Sequence, residues 1–132
     1  MHNAVIDTNV LVSGLLSANG TPARIIDAFK ERQFYLYYSK EILTEYQDVL
    51  CREKLGLSTK DVEVFLYKVC RVGISVMSVL SNIPLIDEDD RVFYDTARTS
   101  GAVLVTGNIR HYPAEPFIMT PADFLKALNL RS

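Results

Sequence analysis

The stretch that decides the fold is Met1-His2-Asn3-Ala4-Val5-Ile6-Asp7-Thr8-Asn9-Val10-Leu11-Val12-Ser13-Gly14, residues 1–14. Ala4-Val5-Ile6 is a short unbroken apolar run, the pattern of a strand buried on both faces. It ends on the carboxylate of Asp7, with two more polar side chains before apolar residues resume at Val10. A charge directly behind a buried strand is costly unless something compensates it. The strand end is therefore a candidate site, whose chemistry depends on which other groups the chain brings there.

Outward from this stretch, β-type runs alternate with helical ones. Thr21-Pro22-Ala23 predicts a helix start with Thr21 as N-cap and Pro22 at the first turn. Ile25, Ile26 and Phe29 supply that helix's apolar face to about Glu31. Phe34-Tyr35-Leu36-Tyr37-Tyr38 reads as an aromatic-rich strand. Ser39 caps a helix from Lys40 to about Cys51, with Ile42, Leu43, Tyr46, Val49 and Leu50 as its buried stripe. Ser58-Thr59-Lys60-Asp61 opens another helix, with Val62, Phe65, Leu66 and Val69 on its apolar face. Ile74 to Met77 reads as a strand. Asp87-Glu88-Asp89-Asp90 begins a helix that Gly101 stops after Ser100. Val103-Leu104-Val105 is a buried strand, Phe117-Ile118 a last short one, and Thr120-Pro121-Ala122-Asp123 the start of a terminal helix. Strands alternating with helices predict a three-layer α/β domain with a mainly parallel sheet of four to five strands.

The 132 residues fit a single domain, 1–132, large enough to bury roughly two thirds of the unfolded chain's surface. Hydrophobic content of 48% and charged content of 23% are those of an ordinary globular protein. No run of about 18 apolar residues predicts a membrane span. The N-terminus lacks a signal-peptide pattern, so a cytoplasmic location is expected. Cys51 and Cys70 form no metal-binding spacing and are expected as reduced core thiols. A net charge of −2 argues against holding nucleic acid by bulk charge alone. It leaves room for an acidic pocket with basic residues at its rim.

Ligands of an open parallel sheet bind beyond the carboxyl ends of the strands. Asp7 and Asn108 lie at two such ends. Glu45 lies on the helix after the second strand, bracketed by Ile42, Tyr46 and Val49. Asp90 lies in the first turn of its helix. Each has a plain structural reading: Asp7 as N-cap of a turn at Thr8-Asn9-Val10, Glu45 as a solvated helical charge, Asp90 as an acid favoured by the helix dipole, and Asn108 as a turn residue beside Gly107. Together they fall where the fold should have its cleft. Converging carboxylates without basic partners repel, and a hard divalent cation relieves the repulsion; oxygen donors suit Mg²⁺ or Mn²⁺. Neither His2 nor His111 is clearly placed to join them, which disfavours zinc. The natural chemistry is hydrolysis of a phosphate ester. Arg91, Arg110 and His111 are candidates to hold phosphates at the rim, with Arg98 and Lys40 as further cations. Asp87 and Asp89 are extra acids nearby, and Asp95 is turned off the same helical face.

The stretch Asp7-Thr8-Asn9-Val10-Leu11-Val12-Ser13-Gly14, Glu45 in Ile42-Leu43-Thr44-Glu45-Tyr46, the run Asp87-Glu88-Asp89-Asp90-Arg91-Val92-Phe93, and Ala102-Val103-Leu104-Val105-Thr106-Gly107-Asn108 together resemble the PIN domains in order and spacing. The nearest likeness is to small stand-alone members, the VapC toxins of toxin–antitoxin pairs. The resemblance implies a metal-dependent single-strand ribonuclease with Asp7, Glu45 and Asp90 as catalytic metal ligands. It implies that Asn9 and Thr106 support Asp7 by hydrogen bonds. It also implies single-stranded RNA as substrate, a small antitoxin as partner and a homodimer. Many PIN domains carry an aspartate where this chain has Asn108, which brings a carbonyl oxygen but no charge.

Two other readings compete. One is a PIN-like binding module whose nuclease site is weak or silent; Asn108 and the acidic balance favour it, and intact Asp7, Glu45 and Asp90 disfavour it. The other is a phospho-acceptor or phosphatase-like domain with Asp7 as nucleophile. It lacks the second aspartate two residues on, where Asn9 stands, and the lysine expected after a late strand.

Overall fold

The computed structural model describes residues 1–129. Its elements run β1 (Asn3–Ile6), α1 (Thr8–Leu16), α2 (Thr21–Lys30), β2 (Tyr35–Tyr38), α3 (Lys40–Leu50), α4 (Thr59–Val72), β3 (Ile74–Ser75), α5 (Arg91–Ser100), β4 (Val103–Val105), β5 (Ile118–Met119) and α6 (Pro121–Asn129). The strands form one sheet in the order β3-β2-β1-β4-β5, every pairing parallel. Helices flank it in the expected three-layer α/β arrangement. Parallel strands covered by helices need apolar residues on both faces, which is why Ala4, Val5 and Ile6 are all buried.

The order places a topological switch at the centre of the sheet. From β1 the chain winds outward through β2 and β3, then returns to the other side of β1 as β4 and continues to β5. Ile6 pairs with Val105 in register, so the residues that follow, Asp7 and Thr106, emerge side by side at the carboxyl edge. The Asp7 amide extends the ladder by donating to the Val105 carbonyl at 2.9 Å. Crevices at such switch points are where open α/β sheets bind ligands.

Capping follows the sequence closely in places. Ser39 Oγ accepts from the Ile42 amide at 3.2 Å, and Ser58 Oγ from the Asp61 amide at 3.3 Å. Gly101 ends α5 with φ of +75°, a conformation that favours glycine. Gly14 permits α1 and α2 to pack closely: a Cβ there would lie 2.5 Å from Ile26 Cδ1 and 2.8 Å from the Pro22 carbonyl oxygen.

Four expectations need correction. The α2 helix begins at Thr21 itself, with Gly20 in the N-cap position at φ of +108°; the Thr21 hydroxyl caps nothing. β3 is two residues long and does not reach Met77. The Val76 amide still donates to the Tyr38 carbonyl at 2.8 Å, and further along side chains tie the backbone: Thr99 Oγ1 accepts from the Val79 amide, and Asp95 accepts from the Ser81 amide. The acidic run forms a 3₁₀ turn, Glu88–Asp90, capped by Asp87, and the α-helix proper starts at Arg91. Cys51 and Cys70 are exposed free thiols, not core residues: Cys51 sits past the end of α3, and Cys70 points away from the face that buries Val62, Phe65 and Val69.

Candidate active site

Asp7 lies at the N-cap position of α1, and Asp90 at that of α5, yet neither side chain caps its helix. Both carboxylates are left for another purpose, at helix ends whose dipoles favour negative charge. Asp7 is only 6% exposed. Thr106 Oγ1 donates to its Oδ2 at 2.9 Å, and Tyr112 Oη donates to the same oxygen at 3.0 Å. Thr106 is itself fixed, since its Oγ1 accepts from the Asn108 amide at 3.0 Å. With both bonds on Oδ2, Oδ1 carries no side-chain bond among the described residues.

Asp90 is partly buried, and its Oδ2 has no hydrogen-bond partner. Burial, followed by the charges of Asp7 and Asp87, pushes its carboxyl up to about 6. Burial also raises Asp7, and the Thr106 and Tyr112 hydroxyls pull against that rise without cancelling it. Between the two acids, burial and the negative charge of Asp7 drive the Tyr112 phenol upward, so it stays a proton donor. His111 Nδ1 stands 3.9 Å from Asp90 Oδ2, on the exposed side.

Glu45 is held near this pair by its neighbour in sequence. Tyr46 Oη donates to the Ile6 carbonyl at 2.5 Å, pinning α3 to the end of β1 one residue before Asp7. Burial raises the Glu45 carboxyl, with Asp48 and Asp89 adding to it more strongly than Asp7. Glu45 thus lies within electrostatic reach of Asp7. Among the described residues no group of three His, Cys, Asp or Glu side chains stands close enough to hold a metal ion together.

The remaining candidates sort as follows. Asn9 does not reach Asp7 with its side chain; its Oδ1 accepts from the Gly107 amide at 3.1 Å and so fixes the turn after β4. Asn108 and Arg110 are exposed beside that turn. Arg91 is not a rim cation. Its guanidinium donates to the Ser81 and Ile83 carbonyls at 2.8 and 2.7 Å and to Glu88 at 2.6 Å. It lies 3.7 Å from Asp95, which is only 2% exposed and binds Ser81. Asp95 therefore anchors the segment after β3 and takes no part in the site. Tyr112 is the residue that reading the sequence missed: it lies in a loop with no periodic signal, 105 residues from its partner.

A hard cation fits what is present. A buried carboxylate oxygen of Asp90 with no hydrogen-bond partner among the described residues, and the Asp7 charge that raises that carboxyl, offer an oxygen donor and excess negative charge. Mg²⁺ commonly binds through one or two carboxylates, with water and substrate phosphate completing its shell, so a third acidic ligand is not required.

A parallel α/β sheet with acids beyond the carboxyl ends of its central strands has the frame of a ligand-binding or catalytic α/β domain. The sequence profile described as the PIN domain matches residues 3–110, and this chain belongs to that family. It is also 32% identical, over 113 aligned residues, to an uncharacterized protein of Methanocaldococcus jannaschii, covering 79% of this chain and 69% of the relative. No solved structure matches the chain. Among the described residues, no helix is long and apolar enough to cross a membrane.

Proposed function

We propose that the chain is a divalent-cation-dependent endoribonuclease that hydrolyses phosphodiester bonds of single-stranded RNA, as the toxin of a toxin–antitoxin pair. The observation that supports the reading is that Asp7 and Asp90 stand at the N-cap positions of α1 and α5 without a side-chain cap bond, near enough for the charge of Asp7 to raise Asp90. Bound by these two acids and flanked by Glu45, Mg²⁺ or Mn²⁺ supplies the positive charge that phosphodiester hydrolysis requires. Thr106 and Tyr112 hold Asp7 in one orientation, so no reorganisation is needed when substrate arrives. His111 and Arg110, at the exposed mouth, meet the phosphates flanking the scissile bond. A small antitoxin partner, a homodimer and a cytoplasmic location belong to the same reading.

The binding-module alternative has one observation in its favour: among the described residues, no three His, Cys, Asp or Glu side chains are grouped to hold a metal ion. Cleavage of labelled single-stranded RNA with Mg²⁺ or Mn²⁺ separates the two. The wild type is expected to cut and Asp7→Asn to fall to background. Cutting that survives Asp7→Asn overturns the nuclease reading of this site. Metal binding without cutting supports the silent module.

A further inference from the structure

A cleft of about 390 Å³ opens one residue on from Asp7, between the first two turns of α1, the end of α3 and the short 3₁₀ turn Glu53–Leu55. Its walls carry Arg52 and Lys54, and Val12, Val49 and Leu55 give it an apolar floor. Thr8 also lines it, and this residue immediately follows Asp7 in the chain. Thr8 is only 6% exposed, yet its Oγ1 has no hydrogen-bond partner among the described residues. A buried hydroxyl without a partner calls for an explanation, and an intermittently present ligand is one.

The two cations are free to serve. Among the described residues, Arg52 pairs only with Asp48, a 3.5 Å contact in which both side chains are largely exposed, a bond of small net worth that a phosphate readily displaces. Lys54 makes no ion pair among the described residues. The charge of Arg52 is felt at Glu45, where it favours the ionised form, so the cleft and the acids share one field. The Arg91 guanidinium is spent on structure, which leaves this cleft as a place where basic side chains, a donor hydroxyl and an apolar surface meet next to the acids.

We infer that this cleft is a substrate subsite: Arg52 and Lys54 bind a backbone phosphate next to the scissile one, Thr8 Oγ1 donates to it, and the Val12-Val49-Leu55 floor takes the attached sugar or base. The assignment rests on the single-strand RNA reading above and deepens it. Phosphate contacts set position, and apolar contact with an unstacked nucleotide adds affinity without strict sequence choice.

The test is fluorescence-anisotropy titration of a non-cleavable, 2′-O-methyl phosphorothioate single-stranded oligonucleotide over a series of salt concentrations. The double variant Arg52→Gln, Lys54→Gln is compared with the wild type and with Arg110→Gln. Both substituted side chains are exposed, so the fold is not at risk, and the thermal midpoint checks this. The double variant is expected to bind about tenfold more weakly and to flatten the slope of log K against log salt by about 0.7, the share of one neutralised phosphate on a single strand. Thr8→Val, which keeps the shape, is expected to weaken binding about threefold and leave the slope unchanged. Unchanged affinity and slope in the double variant, in a protein that still cleaves RNA, overturns the subsite alone. A wild type that neither binds the oligonucleotide nor cleaves RNA overturns the nuclease reading as well.

Discussion

Tyr112 Oη donates to Asp7 Oδ2 at 3.0 Å, joining the loop after β4 to the end of β1 across 105 residues of sequence. The bond shares its acceptor with Thr106 and so fixes which oxygen of Asp7 faces outward. Tyr112→Phe keeps the ring and removes the donor. It is expected to lower stability by about 1 kcal/mol and to weaken Mn²⁺ affinity about tenfold, as loss of a ligand's supporting bond does elsewhere. Thermal melts and calorimetric Mn²⁺ titration check the two effects separately.

Asp90 makes the pH dependence of the cation-free protein distinctive. Its carboxyl, pushed up to about 6 from 3.8, holds a proton more tightly in the folded chain than in the unfolded one. Its contribution favours the folded state at low pH and is lost as pH rises through about 6. Asp90→Asn is therefore expected to melt higher than the wild type at pH 7.5 in EDTA, with the gap closing as pH falls toward about 4. Saturating Mn²⁺ is expected to erase the gap from the other side, by stabilising the wild type alone. Melting curves of both proteins at three pH values, with and without Mn²⁺, measure this.

Arg91→Ala is expected to destabilise the fold by about 2 kcal/mol, because two backbone carbonyls lose their donor and the buried Asp95 loses its ion-pair partner. RNA affinity of the folded fraction is expected to stay at the wild-type value. A variant as stable as the wild type that binds RNA poorly would return Arg91 to the rim.

The turn after β4 separates a bond from a shape. Asn9→Ala removes the acceptor of the Gly107 amide and is expected to cost about 1 kcal/mol. Gly107→Ala is expected to be within about 0.5 kcal/mol of neutral, since a Cβ there would meet Asn9 Oδ1 at an ordinary 3.4 Å. Urea denaturation of the two variants checks the contrast.

The legible parts of this molecule were those written in local pattern. The apolar runs before Asp7 and before Thr106, the Ser39 and Ser58 caps and the stop at Gly101 each depend on a few adjacent residues, and each appears in the structure. From them followed the sheet, and from the sheet the edge where Asp7 and Thr106 meet. Helix α1 was read only as a turn, because Asp7-Thr8-Asn9 punctuates the chain just where the helix begins. Arg91 looked like a rim cation because it follows Asp90; one residue along a helix is a rotation of about 100°, which carries it to the other side. Tyr112 and the Arg52–Lys54 cleft depend on contacts between distant segments, and no local pattern announces those.

The central claim is that Asp7 and Asp90 are kept from capping their helices in order to hold a cation together. Calorimetric titration of Mn²⁺ into the wild type and into Asp90→Asn tests it most directly. Saturable Mn²⁺ binding is expected in the wild type, with affinity reduced at least about tenfold in Asp90→Asn. Equal Mn²⁺ affinity in the two proteins would contradict it and leave Asp90 as an acid at a helix start.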